Sequence, residues 1–280
     1  MKILKLLSFL LLLLSSCSAD DASFPLSAEE TLKTFQISED FRVEVFAAEP
    51  YLTDLVELVF DAQGRAWVAE MRDYPYDFPK GEPYKSRVRV LEDRDKDGRI
   101  DHSTIFAEEL PHVKSILPWK AGLLVSSAPD ILYLKDTDGD LKADEKTVLF
   151  TGFTTLVDPE GRVNNLRFGI DNWIYVSNDR QAGEIEFSRK PNGAPVSVLG
   201  TDFRFRLDRD LFEAASGATR FGQTFDVWGH RFFSQAGQHV NHVVMARRYL
   251  QRNPFLTAPK VSLHILQHAQ RVFQLTPAEA

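Results

Sequence analysis

A strand-and-turn unit that returns along the chain is the feature that most constrains the fold. The segments DAQGRAWVAEM, WKAGLLVSSAP, FGIDNWIYVSND and VWGHRFFSQ each join a Gly/Asp turn to a short strand. Aligned on Trp67, Leu124, Ile174 and Phe232, they are separated by 57, 50 and 58 residues. Convincing long amphipathic helices are absent from the sequence, and FRVEVFAAE (41–49) also alternates like a strand. Short strands, tight turns and a repeat of this length are typical of a β-propeller.

The sequence therefore predicts an all-β propeller over residues 35–280, with about 50–58 residues per blade. A β-sandwich is the alternative, but a sandwich gives no reason for a repeat of this length. The four copies end near residue 250, whereas propellers have roughly 4–8 blades. The last residues, VFQLTPAEA, give no sign of ring closure, so we expect a small or an incomplete ring.

Composition excludes several classes of protein. The 280 residues carry 33 basic and 40 acidic side chains, a net charge of −7, which argues against a nucleic-acid partner. The single cysteine excludes a disulfide framework, a CxxC redox site and a CxxCH haem site.

The N-terminus has the pattern of an export signal. Lys2 and Lys5 precede the apolar run 6–14, which is too short to span a membrane. The sequence Leu-Ser-Ser-Cys ending at Cys17 resembles the lipobox of bacterial lipoproteins. We therefore expect a signal peptide (1–16), lipidation of Cys17, a flexible tether (17–34) and membrane anchoring in the cell envelope, either periplasmic or at the cell surface. A plain secretory signal with an incidental cysteine is the alternative.

Two acidic loops have the same spacing of aspartates, at relative positions 1, 3, 5 and 9. Alternating carboxylates around a turn can converge on calcium, which prefers six to eight oxygen ligands. The predicted calcium ligands are Asp93, Asp95, Asp97 and Asp101 in the first loop and Asp136, Asp138, Asp140 and Asp144 in the second.

These loops differ from EF-hands in two respects. Position 12 holds Thr104 and Thr147 instead of glutamate, and the flanking segments are predicted strands. We therefore expect weak binding, with a Kd of roughly 10⁻⁴–10⁻³ M. The alternative is a pair of solvated Asp/Gly hairpin turns.

A set of motifs resembles the membrane-bound dehydrogenase family. The set comprises VAEMRDYPYDFP, the first acidic loop, SILPWKAGLLVSSAPDILYLKDTDGDLKADEKTVLFTGF, RVNNLRFGIDNWIY and FGQTFDVWGHRFF. The resemblance runs from about residue 35 to 273. It implies a propeller similar to the quinoprotein glucose and sorbosone dehydrogenases, and hydride transfer from a sugar-like alcohol. It also implies pyrroloquinoline quinone as a cofactor, with calcium assisting the quinone.

The resemblance also suggests where a catalytic base would stand. In the soluble glucose dehydrogenases the base is a histidine eight residues before a glycine that matches Gly169, and that position holds Gly161 here. The adjacent Glu160 is therefore the candidate base, and His230 is a second candidate that precedes a strand. Candidate cofactor-binding residues lie where predicted strands meet the mouth of the ring: Arg72, Tyr74, Arg162, Asn164, Arg167 and Asn178.

Two classes of function follow from this sequence. The first is a quinone-dependent dehydrogenase of sugar-like alcohols, which would pass its electrons to a separate cytochrome because the chain has no haem motif. The second is a calcium-stabilised propeller that binds a glycan or a protein without catalysis. A truncated, inactive product is a third interpretation.

Overall fold

The computed structural model describes residues 25–75, 81–250, 252–253, 255 and 260–265. Cys17 and the predicted signal peptide lie outside the described residues. The chain divides into two compact units, Met1–Ala48 and Glu49–Ala280. No helix in the described ranges is long and apolar enough to cross a membrane.

Among residues 25–48, the described part of the first unit, there is one short helix, α1 (Ala28–Leu32), inside the predicted tether. Ser27 and Glu30 form a capping box, in which each side chain bonds the other residue's backbone N–H.

Residues 41–48 form no strand, so the strand prediction there is wrong. Their side chains stay exposed or half-buried, without the neighbouring strand that an alternating segment needs.

The second unit begins with two antiparallel sheets whose strands follow one another in chain order. Sheet 1 consists of β1 (Leu55–Phe60), β2 (Ala66–Glu70), β3 (Ser86–Glu92) and β4 (His102–Leu110). Sheet 2 starts with β5 (Ser115–Trp119), β6 (Gly122–Ser127), β7 (Asp130–Lys135) and β8 (Glu145–Phe153). A 3-10 helix, Pro159–Gly161, follows β8.

The next two sheets repeat this arrangement, with one insertion. Sheet 3 consists of β9 (Asn164–Phe168), β10 (Ile174–Ser177), β13 (Asp202–Arg206) and β14 (Leu211–Ala215). The inserted hairpin, β11 (Gly183–Phe187) and β12 (Val196–Ser197), pairs with β8 and extends sheet 2. Sheet 4 consists of β15 (Gly222–Phe225), β16 (Arg231–Gln235), β17 (Gln238–Val243) and β18 (Ser262–His264), with the helix α2 (Arg247–Leu250) between its last two strands. The prediction of an all-β fold is confirmed.

The repeated turn signal has a common local structure in sheets 1 and 4. The Asp61 carboxylate accepts from the backbone N–H groups two and four residues later, at 2.9 and 3.0 Å. Asp226 accepts from the same relative positions at 3.0 and 2.8 Å. Gly64 and Gly229 supply the positive φ that closes each turn. A short acceptor side chain and a glycine thus turn the first strand of each sheet into the second.

Two apolar clusters fill the space between neighbouring sheets. One joins sheets 1 and 2 and contains Trp67, Phe106 and Ile116. The other joins sheets 2 and 3, where the buried Phe150 of β8 packs edge-to-face against Phe203 of β13 with ring centroids 5.3 Å apart. Each face of sheet 2 is therefore covered by a neighbouring sheet, as its continuous apolar strands require.

The first strands of successive sheets lie beside one another: β1 beside β5, β5 beside β9 and β9 beside β15. Polar side chains connect them in one repeated pattern. Glu57 accepts from the backbone N–H of Ile116 at 2.7 Å, and Ser115 accepts from that of Leu166 at 2.8 Å. Asn165 accepts from that of Gln223 at 3.1 Å. We call Glu57, Ser115 and Asn165 the inner-strand ladder. The ladder accepts hydrogen bonds from backbone N–H groups at the free edges of β5, β9 and β15, where no strand of the same sheet supplies an acceptor.

Replacement of Ser115 tests the ladder against a matched control. Ser115→Ala leaves the buried N–H of Leu166 without an acceptor, and we expect a loss of about 1–3 kcal/mol in the free energy of unfolding. Ser126 lies opposite Ser115 in the β5–β6 pair and is equally buried, but its hydroxyl finds no hydrogen-bond partner in the part of the chain that the structure describes. Ser126→Ala should therefore be neutral or stabilising. Urea unfolding of both variants measures the difference, and equal losses would contradict a role for the ladder.

Candidate binding site at the inner strands

A polar cavity of about 270 Å³ lies where the first strands meet. Its lining comes from β1, from the residues just before β5 and β15, from β9 and from the 3-10 helix. The lining residues are Val56, Glu57, Lys114, Glu160, Asn164, Asn165, Arg220 and Phe221. All of them except Glu160 lie in the ladder or within two residues of it or of β15, so the packing of the sheets positions the site.

Glu160 is the residue on which the contacts of this cavity converge. Its carboxylate accepts a hydrogen bond from the hydroxyl of Tyr74 at 2.7 Å and pairs with Arg220 at 3.3 Å. The structure thus brings together two of the predicted site residues, Tyr74 and Glu160, which are 86 positions apart. The hydrogen bond from Tyr74 lowers the pKa of Glu160, and the charge of Arg220 acts in the same direction. The carboxylate is also 43% exposed. Glu160 therefore lacks the raised pKa that a general base at this position needs.

Lys114 is a functional candidate that the sequence analysis missed. Its Nζ donates to the backbone carbonyl of Glu160 at 2.6 Å. Burial of the ammonium group lowers the pKa of Lys114 to about 8. An amine with such a pKa is partly unprotonated near neutral pH and can accept a proton. No motif surrounds Lys114 in the sequence, so only the fold reveals it.

The two arginines of this region, Arg167 and Arg220, have carboxylate partners, whereas Lys114 bonds a backbone carbonyl. Besides the pair with Glu160, Arg220 lies 3.4 Å from Asp179, and Arg167 lies 2.8 Å from Glu57. Burial raises the pKa of Glu57, although Arg167 opposes that shift. The cavity therefore presents many hydrogen-bond donors and acceptors with little excess of either charge.

Several other predicted site residues have structural partners. Arg162 donates to the carbonyls of Thr155 and Val157 at 3.0 and 3.2 Å, and it also contacts the Nδ1 of His112 at 2.9 Å. His112 and Arg162 line a separate cavity of about 380 Å³.

Asn164 and Asn178 lie in the interior and donate to backbone carbonyls, whereas Arg72 lies at the surface, 4.0 Å from Asp54. His230 lies outside the polar cavity. Its Nδ1 is 2.7 Å from the carboxylate of Asp226, and the ring lines another cavity, between sheets 3 and 4. The two candidate catalytic residues, Glu160 and His230, are therefore not brought together.

These contacts bear on pyrroloquinoline quinone, which carries carboxylates and needs cations free to bind them. The donors of Arg162 and Asn178 are engaged by backbone and side-chain acceptors, and Arg167 is paired with Glu57. Lys114 and Arg220 both face Glu160. None of these five side chains is therefore free to bind the carboxylates of the quinone.

The two acidic loops connect β3 to β4 and β7 to β8. In each, three carboxylates offer oxygens within 4.8 Å of one another: Asp93, Asp95 and Asp101 in one loop, and Asp136, Asp138 and Asp144 in the other. The fourth predicted ligands, Asp97 and Asp140, fall outside these triads and accept instead from the backbone N–H two residues later, each at 2.8 Å.

The loops also share a backbone conformation. The residues at relative positions 4 and 6 have positive φ in both: Lys96 and Gly98, then Gly139 and Leu141. The first aspartate of each loop accepts from the position-6 N–H at 2.9 Å. The two loops thus repeat in structure as well as in sequence.

The chain belongs to a family described as a domain of unknown function, DUF7133, whose sequence model matches residues 27–279. No curated protein matches the sequence.

The low pKa of Lys114 makes the stability of the fold depend on pH. Its folded-state pKa of about 8 lies below the ordinary value of 10.5, so between these values the unfolded chain binds more protons. The free energy of unfolding should therefore rise with pH across this window, relative to a Lys114→Met variant that cannot titrate. Urea unfolding of both proteins from pH 7 to 10.5 measures the difference. The exposed Lys146 gives a matched control, since Lys146→Met should follow the parent. Parallel pH profiles for the parent and Lys114→Met would contradict the assignment.

Proposed function

We propose that the four sheets are blades of a β-propeller and that the cavity at their first strands binds a sugar-like alcohol. Three observations support the propeller: a four-stranded meander in each sheet, a repeat near the predicted length, and the side-by-side first strands joined by the ladder. In a propeller the first strands of the blades line the central axis, so the polar cavity would lie near that axis, where propellers bind their ligands.

The class of ligand is inferred from the balance of charged side chains in the cavity. A hydroxyl group both donates and accepts, so a polyol is best bound by alternating donors and acceptors. Glu160 and Asn165 offer acceptor oxygens, while Lys114 and Arg220 offer N–H donors. Phe221 gives the same cavity an apolar surface on which a sugar ring can pack. The lining holds two acidic and two basic side chains, and Arg220 is paired with carboxylates, so a neutral ligand disturbs fewer ion pairs on binding than a charged one.

We expect Arg220→Gln to weaken binding of a neutral sugar or polyol by about 10- to 100-fold, the effect of losing a charged hydrogen bond. Calorimetric titration with a panel of monosaccharides and sugar alcohols measures the affinity. Arg209→Gln is the matched control, because Arg209 is exposed and lies outside the cavity lining. If no member of the panel binds the parent, or if both variants lose affinity equally, the proposal fails.

Oxidation of the bound alcohol is a second candidate function, favoured by Lys114. Removal of a hydride from an alcohol requires a base for the hydroxyl proton, and an amine with a pKa of about 8 meets that requirement better than Glu160, whose pKa is lowered. The hydride would need a two-electron acceptor, such as a quinone supplied in solution, because a separate cytochrome takes up single electrons. A dye-linked assay with and without added quinone decides between dehydrogenase and binding protein. Activity that survives Lys114→Met would exclude this lysine as the base.

We further propose that both acidic loops bind calcium, through the two triads. Carboxylates held this close repel one another, so a cation relieves an electrostatic cost that the loop conformation imposes. With calcium, the role of the loops is to stiffen two hairpins of adjacent sheets, and they take no part in the polar cavity.

Calcium should raise the stability of the folded chain. For a Kd of roughly 10⁻⁴ M and millimolar calcium, each loop contributes about 1.4 kcal/mol. Thermal melts with calcium and with a chelator test this, and the double variant Asp95→Ala/Asp138→Ala should lose the response. Asp40→Ala is the control, an exposed aspartate far from both loops in sequence. A calcium-independent midpoint would reject the proposal.

Anchoring in the cell envelope through a lipid on Cys17 also remains a proposal, based on the lipobox-like sequence. We expect mass spectrometry of the membrane fraction to find Cys17 as the lipidated N-terminal residue. Membrane retention of a Cys17→Ala protein would contradict it.

A further inference from the structure

A second cavity, distinct from the one at the inner strands and lined by both apolar and charged residues, lies between sheets 3 and 4. It has a volume of about 170 Å³, and its walls come from β10, β13 and β14 on one side and from β16, β17 and α2 on the other. Three arginines line it: Arg204, Arg231 and Arg247. One carboxylate, that of Glu213, lies in the same lining.

Two of the three guanidinium groups are fixed by hydrogen bonds. The Arg204 side chain is 7% exposed, pairs with Glu213 and donates to the hydroxyl of Tyr175 at 2.9 Å. The Arg231 side chain is 4% exposed and lies 2.6 Å from Asp202, with a further hydrogen bond to the backbone carbonyl of Ser216 at 2.6 Å. Both are therefore rigid, preorganised donors in the wall of the cavity.

The third arginine, Arg247, is half-buried, and its Nε and the hydroxyl of the neighbouring Ser216 are buried atoms with no hydrogen-bond partner among the described residues. Both residues line this cavity. Ser216 as a whole is only 7% exposed. A buried donor without an acceptor is costly and rare in folded proteins. A ligand that brings several acceptor oxygens removes this cost.

We propose that this cavity binds a small oxyanion of the phosphate or sulfate type, free or as a group on a small molecule. Arg247 supplies the positive charge that no carboxylate of the lining matches, and the Ser216 hydroxyl donates to a second oxygen. The two rigid arginines confine the anion. The volume is below the roughly 300 Å³ at which sites for larger organic ligands begin, so it suits one tetrahedral group with a short substituent.

Titration of the parent with sodium phosphate, sodium sulfate and sodium acetate, each against chloride at equal ionic strength, tests the proposal. We expect saturable thermal stabilisation and calorimetric binding by phosphate or sulfate, and weaker binding by acetate. Arg247→Gln should weaken the affinity by about tenfold or more, and Ser216→Ala should weaken it to a smaller extent.

Arg248→Gln is the matched control, because Arg248 lies in the same helix but does not line the cavity. Circular dichroism checks that each variant is folded. Stabilisation by chloride equal to that by the oxyanions, or equal losses in Arg247→Gln and Arg248→Gln, would show only a general effect of surface charge and would overturn the proposal. Arg220→Gln should leave oxyanion binding intact, so the test is independent of the polyol site.

Discussion

The arrangement of this molecule depends on how the first strand of each sheet satisfies its exposed edge. A sheet edge presents N–H groups that would otherwise need water, yet here the edges of β5, β9 and β15 turn towards neighbouring sheets. One polar side chain from the preceding sheet caps each edge, through Glu57, Ser115 and Asn165. Apolar packing between sheets is not directional, whereas these hydrogen bonds are, so the ladder sets the register between one sheet and the next.

The close approach of the first strands that the ladder requires also forms the polar cavity. Lys114 directly precedes the ladder residue Ser115, and Arg220 lies two residues before β15. The segments that lead into β5 and β15 therefore each place a charged side chain in the polar cavity. Charges gathered at a half-buried site must be paired or shift their pKa values. Both outcomes occur: Arg220 is shared by Glu160 and Asp179, and Lys114 has its pKa lowered to about 8.

Sequence patterns predicted what depends on local spacing and missed what depends on the meeting of distant segments. The turn-and-strand period predicted the sheets because each Asp/Gly turn is a local structure, as at Asp61 and Asp226. The aspartate spacing predicted the loops, and the structure adds which carboxylates converge. Lys114 and His112 were missed, because each becomes a site residue only through partners about 50 residues away. The alternation at 41–49 was misleading, since a strand also needs a partner that the sequence does not reveal.

The two cavities differ in a way that assigns them different ligands. At the inner strands both arginines face carboxylates, so an anion bound to either would have to displace an existing ion pair. Between sheets 3 and 4, Arg204 is held by Glu213 and Asp171 and Arg231 by Asp202, while Arg247 adds a charge that has no carboxylate of its own in the lining. Paired charges lower the cost of inserting a neutral polar ligand, whereas an unpaired buried cation gains most from an anion. The same physical rule therefore favours a polyol in the first cavity and an oxyanion in the second.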